Sequence, residues 1–205
     1  MNKITGIAIG AVAVLAAIFG VVAFTASSDK DASVKGASEF QNVVVVGDAL
    51  PEFGDAAVDP AVGMTAPVLK GFGFLGNEVQ TTPGTPMLVV FLAHWCPHCQ
   101  KEVPILVRWS QSGLVPDNLD VIAVATGTDE TAPNFPPSVW LANEKWPSLW
   151  PVLVDTKDQV AGNSFGLSGF PFMTLIDADG KVLWRNSGEI TAEALTDKIN
   201  AALDN

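Results

Sequence analysis

Basic residues are scarce in this chain: 11 Lys and Arg stand against 22 Asp and Glu among 205 residues, a net charge of −11. That sign opposes phosphate backbones and excludes nucleic acid as a general partner. Cysteine and histidine are scarcer still, with two of each. Both cysteines and one histidine fall in Trp95-Cys96-Pro97-His98-Cys99, and the other histidine is the adjacent His94. Structural zinc takes two separated ligand pairs so that the chain wraps the ion, which four ligands inside six residues do not provide. Nor is a stapling disulfide well placed, since closing so short a loop removes only about 2 kcal/mol of unfolded-state freedom. No internal repeat is present. Redox chemistry is what this pattern suits. The rivals are a copper-binding delivery protein using Cys96, Cys99 and His98, and an interaction module whose cysteines stay bridged.

The pair sits between an apolar run of strand length, Leu88 to Ala93, and a segment in which Val103, Leu106, Val107 and Ser110 recur at helical spacing. Cys96 is then the exposed cap of a helix, with Pro97 at its first position, where a missing N–H costs nothing. Unpaired backbone N–H groups and the helix dipole favour a thiolate there, and the thiolate is the nucleophile in disulfide exchange. Cys99, one turn later, is placed to resolve.

No charged residue interrupts Ile4 to Phe24, a stretch of 21 residues that is almost wholly Ile, Val, Ala, Leu, Phe and Gly. This length meets the roughly 20 residues needed to cross a bilayer and exceeds the roughly 7–15 of a cleavable signal core. Residues 1–26 are therefore expected to form an N-terminal membrane anchor, with a cleaved signal as the alternative. Lys3 against Lys30 and Lys35 gives the positive-inside rule little to act on. The usual behaviour of a single N-terminal anchor gives a single-pass cell-membrane protein with its C-terminal domain outside the cytoplasm. Residues 27–60, rich in Ala, Ser, Asp and Gly, read as an extracytoplasmic linker, and 43–46 is their one candidate strand.

Over 61–205 the pattern alternates. Phe72 to Val79 reads as a hairpin turning at Gly76-Asn77, while Leu88 to Leu92, Val121 to Ala125 and Val152 to Val154 read as strands. Further helices are expected from about Pro137 to Lys145, from Asp158 to Phe165, and from Thr191 onward with Ala194, Leu195, Ile199 and Leu203 facing inward. Phe172 to Ile176, the turn Asp177 to Gly180, and Val182 to Trp184 form an antiparallel hairpin. Such alternation implies an α/β domain with a largely parallel sheet. Trp140, Trp146 and Trp150 are expected in the core, His94 in solvent, and Trp95 as a surface platform beside Cys96. Pro104 is expected to kink or restart its helix. Glu102 reads either as a base for Cys99 or as a surface carboxylate.

Four stretches carry a resemblance: Val62-Gly-Met-Thr-Ala-Pro67, Trp95-Cys96-Pro-His-Cys99-Gln-Lys-Glu102-Val-Pro104, Gly169-Phe-Pro171 and Leu175-Ile-Asp-Ala-Asp-Gly-Lys181. Together, from about Ala61 to Leu203, they resemble the thioredoxin fold, and within it the TlpA/ResA-like extracytoplasmic thiol-disulfide oxidoreductases, or redoxins. The 75 positions separating Cys96 from Pro171 exceed those of plain thioredoxin, as an extra βα insertion would require. The resemblance implies a thioredoxin-like α/β fold, a central mixed sheet flanked by helices. It makes Cys96 the attacking sulfur and Cys99 the resolving one. It also implies a cis Phe170-Pro171 peptide beside the pair, where the Phe170 backbone meets an extended substrate next to Trp95, and Glu102 near the active-site cavity. No cofactor and no metal are implied; the partners are protein thiols and disulfides and a membrane redox partner that recycles the pair. Two positions depart from the pattern. Val90 stands where plain thioredoxin has a buried aspartate, and Phe172 follows the proline where Thr is frequent, which bears on the substrate groove.

The Pro97-His98 dipeptide resembles strong oxidants of the Dsb type. A protonated His98 beside Cys96 favours the reduced pair, by about 1.4 kcal/mol or roughly 30 mV for each pKa unit. Pro97, His98 and Glu102 are thus the redox-tuning candidates, and the expectation leans to disulfide donation. The alternative within the same fold is a reductase serving cytochrome c maturation.

Overall fold

The computed structural model describes residues 36–204. The expected anchor over 1–26 and the first part of the linker lie outside these residues. No helix among the described residues is long and apolar enough to cross a membrane.

Three short strands, β1 (Val44–Val46), β2 (Val68–Phe72) and β3 (Glu78–Gln80), form an antiparallel sheet. Five more form the main sheet: β4 (Met87–Leu92), β5 (Asp120–Ala125), β6 (Val152–Val154), β7 (Phe172–Ile176) and β8 (Val182–Ser187), in the order β6-β5-β4-β7-β8. The helices are α1 (Pro97–Gln111), α2 (Pro137–Asn143), α3 (Val160–Ser164) and α4 (Ala192–Leu203).

Every residue of β4 is buried because it is the middle strand with both faces covered, which is what a continuous apolar run demands. Its alternate side chains feed two cores. Leu88, Val90 and Leu92 meet α1, α4 and the tryptophans, whereas Val89 and Phe91 meet Phe165 and Phe172. The sheet is mixed rather than largely parallel: β4 runs parallel to β5 and antiparallel to β7. The tight Asp177 to Gly180 turn likewise makes β7 and β8 an antiparallel pair. Helix α1 begins at Pro97 and continues through Pro104 to Gln111 without a break. In α4 the Thr191 hydroxyl accepts from the Ala194 N–H as an N-cap; Leu195 and Ile199 are buried, while Ala194 is exposed and Ala192 takes the inward position. Trp140 and Trp150 are core residues as expected, with Trp150 packed between Trp109 and Trp146.

The stretch expected as a linker up to residue 60 is bound to the domain. Its strand forms at Val44–Val46, pairing Val45 with Leu69. The Gln41 N–H donates to Asp155 O, Leu50 N–H to Ser164 O, and Phe53 N–H to Gly166 O. The Arg185 side chain, wholly buried, fastens this stretch. Its Nε donates to Asp59 Oδ2 at 2.8 Å, and its Nη1 donates to Pro51 O and Phe165 O. The guanidinium lies 5.4 Å from the Phe53 ring centre and 5.9 Å from that of Phe172. Its hydrogen bonds hold the Asp59 carboxyl below the usual carboxylate range. Asp59→Asn removes the charge and one acceptor from this buried guanidinium, so a loss of about 1.5–3 kcal/mol is expected. A lower urea midpoint at unchanged slope would register it.

Candidate active site

Where β4 ends, the chain turns through Ala93 to Trp95 and enters α1. Cys96 is the N-cap, with φ −73° and ψ 121°, and Pro97 is the first helical residue. The Cys96 N–H donates to Ala93 O at 3.1 Å, and Cys96 O accepts from Gln100 N–H at 3.1 Å. Both thiols are free. Cys96 is less exposed than expected, with 6% of its surface accessible, and Cys99 has none. The sulfur of Cys96 lies 3.7 Å from Phe170 O, and that of Cys99 accepts from the Ala93 N–H at 3.5 Å. Burial pushes the Cys99 thiol far up, against the Ala93 hydrogen bond and with help from Cys96 and Glu102.

Two aromatic rings frame Cys96. The Trp95 indole N–H donates to Gly127 O at 2.7 Å, and the ring meets Phe170 edge-on at 5.8 Å. Trp95 is 37% exposed, a surface platform as expected. The Phe170-Pro171 peptide is cis, as the resemblance implied. Gly127, absent from the sequence expectations, has φ +61°, and a side chain there would press on the Phe170 ring at 3.0 Å. A glycine closing an apolar strand was its only signal.

His98 is exposed on α1, and its Nδ1 lies 2.6 Å from Glu189 Oε1, which Lys101 Nζ also reaches at 3.4 Å. The His98 hydrogen bond holds the Glu189 carboxyl below its ordinary range. A groove lined by His98, Gly169, Phe170, Ser187, Gly188 and Glu189 runs past the cis-proline loop.

Glu102 is fully buried, so the surface-carboxylate alternative is overturned. Its Oε2 accepts from the Ile190 N–H at 3.1 Å, and Oε1 has no partner. Burial pushes its pKa up to about 7, the Ile190 bond opposing and Glu189 adding. With Val90 buried and apolar in β4, the carboxyl that acts on the Cys99 thiol comes from α1 instead of the strand.

One expectation is corrected here. His94 is buried, not solvated, because both its ring nitrogens are bonded to the loop after β5. Phe172, the residue after the cis-proline, lies in the second core against Phe53 and Phe91. His94 is held by that loop and His98 by Glu189, and no group of three or more His, Cys, Asp or Glu among the described residues could hold a metal ion.

A thioredoxin-like α/β protein with two thiols at a helix start beside a cis-proline is the class that fold and site define. The Redoxin family model matches residues 45–203, and the chain belongs to that family. It is 29% identical over 139 residues to the thiol-disulfide oxidoreductase ResA of Geobacillus thermodenitrificans, covering 65% of this chain and 73% of the relative. It is 29% identical over 157 residues to the thiol:disulfide interchange protein DsbE homolog of Paracoccus denitrificans, covering 77% and 79%. A crystal structure of a putative thiol:disulfide interchange protein DsbE from Chlorobium tepidum superposes with a TM-score of 0.54 at 26% identity, covering 69% of this chain and 97% of that one. The chain spans 54% to 79% of the length of such curated relatives.

Proposed function

We propose that this protein is a membrane-anchored, extracytoplasmic thiol-disulfide oxidoreductase that reduces disulfides in protein substrates through Cys96 and Cys99. The observation that carries this reading is the asymmetry of the two thiols: Cys96 has a sliver of exposure beside Phe170 O, and Cys99 is sealed behind it. A substrate strand lies along Phe170, next to Trp95, with Pro171 fixing the turn. The Cys96 thiolate attacks one substrate sulfur, a Cys96–substrate bond forms, and the other substrate sulfur leaves as a thiolate. Cys99 then gives up its proton and attacks the Cys96 sulfur, the Cys96–substrate bond breaks, and the substrate sulfur that Cys96 had attacked leaves as a thiolate. Two electrons have passed to the substrate and the pair is a disulfide. A membrane redox partner must return them. The uncharged run Ile4 to Phe24 supports the anchor and, with it, the extracytoplasmic location.

Reduction is favoured over donation by the charges around the pair. A donating poise rested on His98, but Glu189 takes up that imidazole, and Glu102 puts a second carboxyl behind Cys99. Burial, with Glu102 adding, disfavours the Cys99 thiolate, which raises the free energy of the reduced pair and lowers its potential. Equilibrating the full chain with glutathione measures this. A potential near thioredoxin's roughly −270 mV is expected, and one near DsbA's roughly −120 mV would reverse the direction to donation.

A further inference from the structure

One buried ionisable side chain near the pair has no part in that exchange. His94 lies two residues before Cys96, is 1% exposed, and has both ring nitrogens engaged. Its Nε2 accepts from the Asp129 N–H at 3.2 Å, so the ring proton sits on Nδ1, which donates to Pro133 O at 2.8 Å. The His94 carbonyl accepts from the Asn134 amide at 3.2 Å, and the ring meets Phe135 edge-on at 6.0 Å. One residue thus fastens Asp129 to Phe135, the connection between β5 and α2, onto the turn that carries Cys96. At the start of the same connection, Gly127 O receives the Trp95 indole and Gly127 packs under the Phe170 ring.

We propose that His94 is a positioning residue for exchange with protein substrates: in its neutral form it clamps residues 127–136 to the Cys96 turn, and the clamp holds the paired Trp95 and Phe170 rings beside which an extended substrate strand reaches the sulfur. This rests on the exchange reading above. A small disulfide needs only Cys96, whereas a protein strand needs the walls beside it. A second proton on His94 would aim an N–H at the Asp129 N–H, replacing an acceptor by a donor and opening the clamp. The charged groups facing the ring are Asp129 from the loop and Glu39 from the N-terminal stretch. From α1 the bond to this residue is that of the uncharged Gln100 amide, and the Cys96 thiol lies on the same turn. The two carboxylates and the Pro133 bond favour the proton, but burial outweighs them and holds the His94 pKa below the ordinary imidazole value of 6.5. The folded state therefore prefers neutral His94: the clamp is intact above pH about 6.5 and is lost as pH falls through the depressed value.

The test compares single-turnover rate constants of the reduced full chain with insulin and with glutathione disulfide from pH 8 to 5, so that their ratio cancels the thiolate fraction of Cys96. In the unmodified protein the insulin-to-glutathione ratio is expected to fall about tenfold at the acid end, the worth of one well-placed hydrogen bond. In His94→Asn, whose amide can replace the donor to Pro133 O but does not titrate, the ratio should stay flat with pH. In His94→Ala it should be about tenfold low throughout. An Asn variant that keeps the acid fall, or a flat ratio in the unmodified protein, overturns the proposal even if the Ala variant does not fold. Failure of the unmodified protein to reduce either disulfide would instead overturn the exchange reading itself.

Discussion

Cys96→Ser is expected to reduce disulfide exchange to the uncatalysed background, while Cys99→Ser carries out the first half of the reaction and stops. The difference follows from burial. Cys96 retains a 6% opening beside Phe170 O, where an incoming sulfur can align with it, but Cys99 has no accessible surface. Burial also raises the Cys99 thiol, so without Cys96 ahead of it the remaining sulfur is both unreachable and protonated. With Cys99 removed, the Cys96–substrate bond forms and nothing inside the protein can break it. Mixing reduced Cys99→Ser with a disulfide-bonded protein should therefore give one covalent adduct per chain, visible by non-reducing electrophoresis and lost on adding thiol. Cys96→Ser should give none. An adduct on Cys96→Ser, or sustained turnover by either variant, would reverse the assignment of attacking and resolving sulfurs.

Features whose causes lie close along the chain were legible in the sequence. A six-residue apolar run has the length of a strand covered on both faces, and β4 is that strand. The proline after Cys96 marked the helix start, and the short Asp177 to Gly180 turn marked the β7–β8 hairpin. What escaped depends on partners far along the chain. Residues 41–59 have a linker's composition, yet they are fastened by Arg185, 126 positions beyond Asp59. His98 reads as a free cation until Glu189, 91 positions on, folds against it. His94 looks solvated because the loop that buries it returns 35 to 40 positions later. Ala194 was expected inward, but it is Ala192, three positions before Leu195, that shares the buried face of its helix. Glu102 was identified by its place one turn after Cys99, but nothing local says that Ile190 and its neighbours seal it from water.

That seal makes Glu102 the residue with the largest expected pH effect. Its carboxyl has a pKa of about 7 in the folded protein against 4.5 when solvated, so folding favours the protonated form. The stability this contributes is complete below pH 4.5 and is lost as pH rises through 7. The loss is on the order of 3 kcal/mol, from 1.36 kcal/mol per pKa unit. Glu102→Gln does not ionise, so its stability relative to the unmodified protein should climb by that order between pH 4.5 and 8.5 in urea titrations; a constant difference would mean that Glu102 does not titrate in that window. A buried carboxyl that weakens the fold at neutral pH is suited to another task. Cys99 must lose a proton before it can attack Cys96, no water reaches its sulfur, and a base with a pKa near 7 one turn away is matched to that transfer. Resolution of the Cys96 mixed disulfide should accordingly slow by about 10²-fold in Glu102→Gln, with adduct formation much less affected. Quenched-flow trapping of the adduct separates the two steps. Equal slowing of both would place the effect of Glu102 on Cys96 instead of on proton removal from Cys99.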